Sequence, residues 1–100
     1  MTQTEVSPTI KTDVKEPPRF RVIYINDEVT SLDFVIGSLR EYFGYSEPAA
    51  EALALNIHQN GSAVVAVLPY EIAEQKGIEI TMSARSKGFP LQIRLEPDVG

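Results

Sequence analysis

Cysteine is absent from the chain. Its absence excludes a disulfide framework and every zinc site built on thiolates, and it is the usual state of a protein kept in a reducing compartment. No run approaches the roughly 20 consecutive apolar residues that a membrane-spanning helix needs, and the first residues lack the basic-then-apolar order of a secretion signal. A soluble, cytoplasmic protein with no membrane partner is the expectation. Basic residues are scarce as well: nine Lys and Arg against fourteen Asp and Glu leave a net charge of −5, and they are scattered along the chain. Contact with a phosphate backbone needs a stripe or patch of positive charge. Nucleic acid is therefore not an expected partner, whereas a cationic ligand or the basic surface of another protein suits this balance. Histidine occurs once, as His58, and the chain carries no H-x-x-x-H pair, glycine-rich phosphate loop or nucleophile elbow. No metal or organic cofactor is expected.

What is present is enough for one small domain. The 100 residues, 43% hydrophobic and 23% charged, can build a core but leave little room for a deep, enclosed active site. Met1 to Pro18 mixes Thr, Pro, Lys and Glu without a sustained period, which predicts a disordered tail over 1–18 and a folded domain over 19–100. From Phe20, "FRVIYI" reads as a strand covered on both faces. Thr30, three residues before Asp33, matches the hydroxyl-x-x-acid pattern of a helix start. Leu32, Val35, Ile36, Leu39, Tyr42 and Phe43 then follow one helical stripe up to Gly44. Ser46, Glu47 and Pro48 open a second helix, with Ala50, Leu53, Ala54 and Ile57 inward before the Asn60-Gly61 turn. "SAVVAVL" is a second strand. Pro69 leads into a third helix with Ile72, Ala73, Ile80 and Ala84 inward, weakened locally by Gly77. After Gly88-Phe89-Pro90, "LQIRL" alternates as a third strand. The order strand-helix-helix-strand-helix-strand predicts an α/β two-layer sandwich, a three-stranded sheet packed against three helices.

Chemistry concentrates at one junction. Asn26, Asp27 and Glu28 form a dense polar cluster between apolar runs, readable as an ordinary strand-to-helix turn or as a ligand site. His58 falls in the last turn of the second helix, where it either caps free carbonyls or serves as a ligand or base. Leu32, Val35, Ala54, Ile57 and Leu91 have core spacing, yet Leu32 lies in the first turn of its helix beside the acids, where a shallow apolar hole is conceivable. A metal-assisted hydrolase using Asp27, Glu28 and His58 is one reading of these groups.

Three segments give a more specific one. "FRVIYINDEVTSLDFVIGSL", "NIHQNGSAVVAVLPYEIAEQK" and "FPLQIRLE" together resemble the ClpS family, adaptors that feed N-degron substrates to the Clp protease. The likeness runs from about Pro17 to Glu96 and keeps order and spacing. It implies a non-enzymatic domain that recognises a protein's first residue when that residue is large and hydrophobic: Phe, Tyr, Trp or Leu. By the family's pattern the free α-amino group falls to Asn26, Asp27 and His58, and peptide backbone to Glu28 and Thr30. The apolar pocket falls to Leu32, Val35, Ala54, Ile57 and Leu91, with Thr30 at its edge. Glu28 stands where the family usually has Asp, and Leu32 and Ala54 stand where methionines are frequent. The resemblance also implies a partner, a ClpA-like or ClpC-like AAA+ unfoldase, touched by Glu71 and Lys76, with the N-terminal tail used in delivery and the adaptor itself a monomer. An alternative within the family is an unfoldase modulator with altered or lost N-degron specificity.

Elementary energetics agree with an amino-group site. An ammonium has three donors, which an amide oxygen, a carboxylate and an imidazole nitrogen can each accept. Each bond to a charged group contributes about 1.5–3 kcal/mol, and burial of a Leu or Phe side chain a similar amount. After association costs, affinity near micromolar, about −8 kcal/mol, is expected. β-Branched or charged first residues should be excluded by pocket shape and desolvation. Binding should weaken as His58 takes up a proton and loses its acceptor nitrogen.

Overall fold

The computed structural model describes residues 17–99, so most of the expected tail lies outside the described residues. The elements run β1 (Arg19–Ile25), α1 (Leu32–Phe43), α2 (Glu47–Asn60), β2 (Ser62–Pro69), α3 (Tyr70–Ser86) and β3 (Gln92–Pro97). This is the order expected from the sequence. The sheet is three-stranded, β2-β1-β3, and both pairings are antiparallel.

β1 takes the centre of the sheet and supplies its longest buried run, Val22, Ile23 and Tyr24. Val22 and Tyr24 point into one core with Val35, Leu39, Ala54, Ile57, Ile80 and Ala84 from the helices. Ile23 is also buried but does not join that core. Among the described residues, helices cover one face of the sheet, in place of the expected cover on both faces. Ile23 is shielded instead by its neighbours across the sheet, Val64 and Arg94; long arginine side chains can cover apolar surface while their heads stay in water. Arg94 and Arg21 both reach Glu96, at 2.9 and 3.5 Å, which holds them across this outer face.

A bulge interrupts the β1–β2 ladder. The register shifts between Val22, opposite Ala66, and Ile23, opposite Val64. The extra residue, Val65, turns its side chain into the core, as a bulged position commonly does to re-aim a side chain. Its carbonyl accepts the Tyr45 hydroxyl at 2.6 Å. Inside the core, the Tyr24 hydroxyl pairs with Ser38 Oγ at 2.8 Å, and Ser38 donates to the Val35 carbonyl at 2.8 Å. Burial drives the Tyr24 phenol far above its ordinary pKa, so it stays neutral.

Helix ends set where the connecting loops run. α1 is capped by Ser31, whose Oγ accepts the Phe34 amide at 3.1 Å. Thr30, expected to be the cap, sits one residue too early because its hydroxyl is turned back to Asp27. α2 is capped by Ser46 as expected, with the Ala49 amide at 3.3 Å. It ends at Gly61, whose φ of 91° places it in the left-handed region that glycine adopts at least cost. α3 continues unbroken past Gly77. Its buried stripe is Ala73, Ile80 and Ala84, while Ile72 is 45% exposed, against expectation. Successive helical residues are about 100° apart, so a stripe this narrow leaves Ile72 off the sheet.

Candidate functional site

The loop between β1 and α1 is wound around one carboxylate. Asp27 Oδ1 accepts the Val29 amide at 2.8 Å and the Thr30 amide at 2.7 Å, and Oδ2 accepts the Thr30 hydroxyl at 2.8 Å. Partial burial alone would raise the Asp27 pKa, but these bonds, with the Arg85 charge nearby, hold it below the usual carboxylate range. Asp27 is thus an anion with a fixed orientation. A carboxylate offers about four lone-pair directions; three are used within the loop, and one on Oδ2 is left for a further donor.

A single backbone bond brings the distant helix end to this loop. The Asn26 amide donates to the Gly61 carbonyl at 2.8 Å. Gly61 closes α2, so the bond draws the last turn of that helix, with His58, to the start of the acidic loop. The space between them is a cavity of about 300 Å³. Asn26, Asp27, Glu28, Thr30 and His58 line its polar side, and Leu32, Val35, Ala54 and Ile57 its apolar side. Val35, Ala54 and Ile57 are buried and form the floor; Leu32, 48% exposed, stands at the rim. Polar acceptors on one side and hydrocarbon on the other suit a ligand with a cationic head and an apolar body.

The remaining expected residues lie elsewhere. Leu91 does not line this cavity: it is 1% exposed, inside the core, and its carbonyl accepts Arg85 Nη1 at 2.9 Å. Glu71 is exposed near the start of α3, beside a separate hollow lined by Pro17, Pro18, Tyr70 and Ile72. Lys76 places its ammonium 5.9 Å from the Phe43 ring centroid, within the range of a cation–π contact. Two features escape sequence reading. Arg85 lends positive charge to Asp27 from across the fold, with no local signal. Exposed Tyr70 and Ile72 flank Glu71, and for Ile72 the signal was its position one residue off the buried stripe. Among the described residues no three His, Cys, Asp or Glu side chains are grouped to hold a metal ion, and no helix is long and apolar enough to cross a membrane.

Comparison with known proteins decides the family. Residues 15–94 match the family described as ATP-dependent Clp protease adaptor protein ClpS. The chain belongs to the ClpS family. It is 37% identical over 95 residues to the ATP-dependent Clp protease adapter protein ClpS of Oleidesulfovibrio alaskensis, covering 95% of this chain and 91% of that protein. To the Caulobacter vibrioides protein of the same name it is 37% identical over 89 residues, covering 89% of this chain and 82% of the relative. Among solved structures it resembles Agrobacterium tumefaciens ClpS2 bound to L-phenylalaninamide, with a TM-score of 0.79 and 36% identity over 83% of this chain and all of that one. ClpS proteins are adaptors of the Clp protease and not enzymes, which sets the hydrolase reading aside.

Proposed function

We propose that the cavity between the β1–α1 loop and the end of α2 holds the first residue of a substrate protein, which the chain then delivers to the AAA+ unfoldase of the Clp protease. The observation that carries this reading is one cavity with the anchored Asp27 carboxylate on its polar side and Val35, Ala54 and Ile57 on its floor. The Agrobacterium ClpS2 ligand supports it, since L-phenylalaninamide is a free α-amino group joined to a benzyl side chain. In this chain Asn26 Oδ1, Asp27 Oδ2 and a ring nitrogen of His58 accept the three ammonium protons. The side chain of Phe, Tyr, Trp or Leu enters between Leu32 and Ala54. The Thr30 hydroxyl, whose hydrogen is donated in its bond to Asp27, faces the peptide as an acceptor, and Glu28 lies beside the following backbone.

Every group this reading needs belongs to one copy of the chain, so a single copy suffices to bind. Delivery falls to Glu71 and Lys76 on α3, with exposed Tyr70 and Ile72 adding apolar contact, and to the N-terminal residues outside the described region. The work is cytoplasmic, where a cysteine-free adaptor meets the protease.

A second reading, an unfoldase modulator, is favoured by Leu32 and Ala54, which reshape the rim and floor. One titration separates the two. A labelled peptide beginning with Phe or Leu should bind saturably with a free N-terminus and not when acetylated. If neither form binds, the adaptor reading falls and the modulator stands.

A further inference from the structure

The two edges of the sheet are unlike. β2 is broken by the bulge, and its Val65 carbonyl is taken by Tyr45. β3 pairs with β1 from Gln92 to Pro97 with no register shift. Proteins usually blunt a regular edge by bulges, cover or inward charge, because its unpaired amides and carbonyls template pairing with another strand. Beside β3 lie two hollows, of about 490 and 310 Å³, that share Thr81, Ile93 and Leu95. They form one trough between α3 and the outer edge of β3. Its wall carries Ile78 and Met82, 54% and 67% exposed. On the α3 side Arg85 stands toward its Gln92 end and Glu74 toward the other, while Arg94 and Glu96, alternating with Ile93 and Leu95 along β3, lie on the opposite face of the sheet.

We propose that this edge pairs antiparallel with the same edge of a second copy, giving a twofold dimer with a continuous six-stranded sheet. The charges select this occupant. Antiparallel pairing turns the acidic end of one trough onto the basic end of the other, and a twofold interface requires such self-complementarity. With Leu95 facing its own counterpart, Arg94 lies opposite Glu96 of the second copy, and Glu96 opposite Arg94 of that copy. Opposite residues of an antiparallel pair share a face, so these pairs meet directly. Centring the pair on Arg94 would set two guanidinium groups face to face, which fixes the register. Pro97, lacking an N–H, ends the ladder. The α3 helices of both copies then lie on one face and meet through Ile78 and Met82, covering surface that is apolar and exposed in the single chain. No residue lining the proposed amino-group cavity is on α3 or β3. Each copy therefore keeps its own site, and the inference stands apart from the adaptor reading. It departs from the monomer expected from the sequence, where strand order and edges are not visible.

The test is sedimentation equilibrium of the full chain from about 1 µM to 1 mM, a range in which mass action resolves weak dimers. The mass should rise from 11.1 kDa toward twice that value. Arg94→Glu and Glu96→Arg each set like charges opposite one another and should raise the dissociation constant at least about tenfold. The double reversal, Arg94→Glu with Glu96→Arg, should restore dimerisation. Met82→Glu, a surface change on a helix, should also dissociate the dimer while circular dichroism stays unchanged. A mass of one chain at every concentration overturns the proposal, as does a dimer indifferent to both single reversals and to Met82→Glu.

Discussion

Thr30 donates both its amide and its hydroxyl to the Asp27 carboxylate, at 2.7 and 2.8 Å. The same contact shapes the loop and keeps Asp27 ionised, so a residue that looked like a helix cap instead fixes the proposed ligand group. Its consequences can be measured.

Asp27→Asn retains an acceptor for the Val29 and Thr30 amides but removes the charge. The domain should still unfold cooperatively, while affinity for a peptide with a free N-terminal Phe drops roughly 10- to 100-fold, as expected for about 1.5–3 kcal/mol in a charge-assisted bond. Calorimetric titration reads this directly; unchanged affinity would remove Asp27 from the binding role.

Thr30→Val keeps shape and deletes the hydroxyl donor. Because folding lowers the Asp27 pKa, its contribution to stability is complete above the unfolded-state pKa and is lost as pH falls through the folded-state value. Without the Thr30 hydroxyl the folded-state midpoint should move up toward the usual carboxylate range. Peptide binding in acid should then fail at a higher pH than in the parent. The carboxyl-carbon NMR shift of Asp27 reports the midpoint.

Ala54→Met places a long side chain on the floor of the cavity, where Ala54 is 1% exposed. The narrower pocket should change the ranking among peptides beginning with Trp, Phe and Leu, with the Trp peptide losing most and the Leu peptide least, because overfilled apolar space costs about 1–3 kcal/mol. Fluorescence anisotropy with the three peptides gives the ranking; an equal loss for all of them would place Ala54 outside the side-chain pocket.

Tyr24→Phe removes the buried hydroxyl bonded to Ser38. Ser38 still donates to the Val35 carbonyl, so the cost should be about 1 kcal/mol, a fall in Tm of about 4–8 °C for a domain of this size. Peptide affinity should hold, since Tyr24 lies in the core away from the cavity.

Ser31→Ala should cost about 1 kcal/mol by loss of the cap on α1, measured by urea unfolding. Ser46→Ala should cost a similar amount at α2, and neither should move the Asp27 midpoint.

Much of this was legible in one dimension. Element order followed from apolar spacing and punctuation, because Ser46, Gly44 and Gly61 act through their own backbone neighbourhoods. The acidic junction was visible because Asn26, Asp27 and Glu28 interrupt apolar runs. The cap on α1 was misplaced because Thr30 and Ser31 carry the same hydroxyl chemistry, and only the fold shows which one Asp27 engages. Ile72 was misassigned for a related reason: hydrophobicity marks what can be buried, while the approach of α3 to the sheet marks what is.

By itself, then, the sequence determined local matters: which segments are helices or strands, where most of them stop, and which residue types are available for an ammonium ion. The tertiary structure alone decided that His58 and Asp27 line one cavity, with the Asn26 amide bonded to the Gly61 carbonyl at its edge. It alone set Leu91 in the core, and left β3 as a regular edge among the described strands, beside exposed Ile78 and Met82. Contacts between residues far apart in sequence depend on how layers pack and strands order, and no short-range period encodes that.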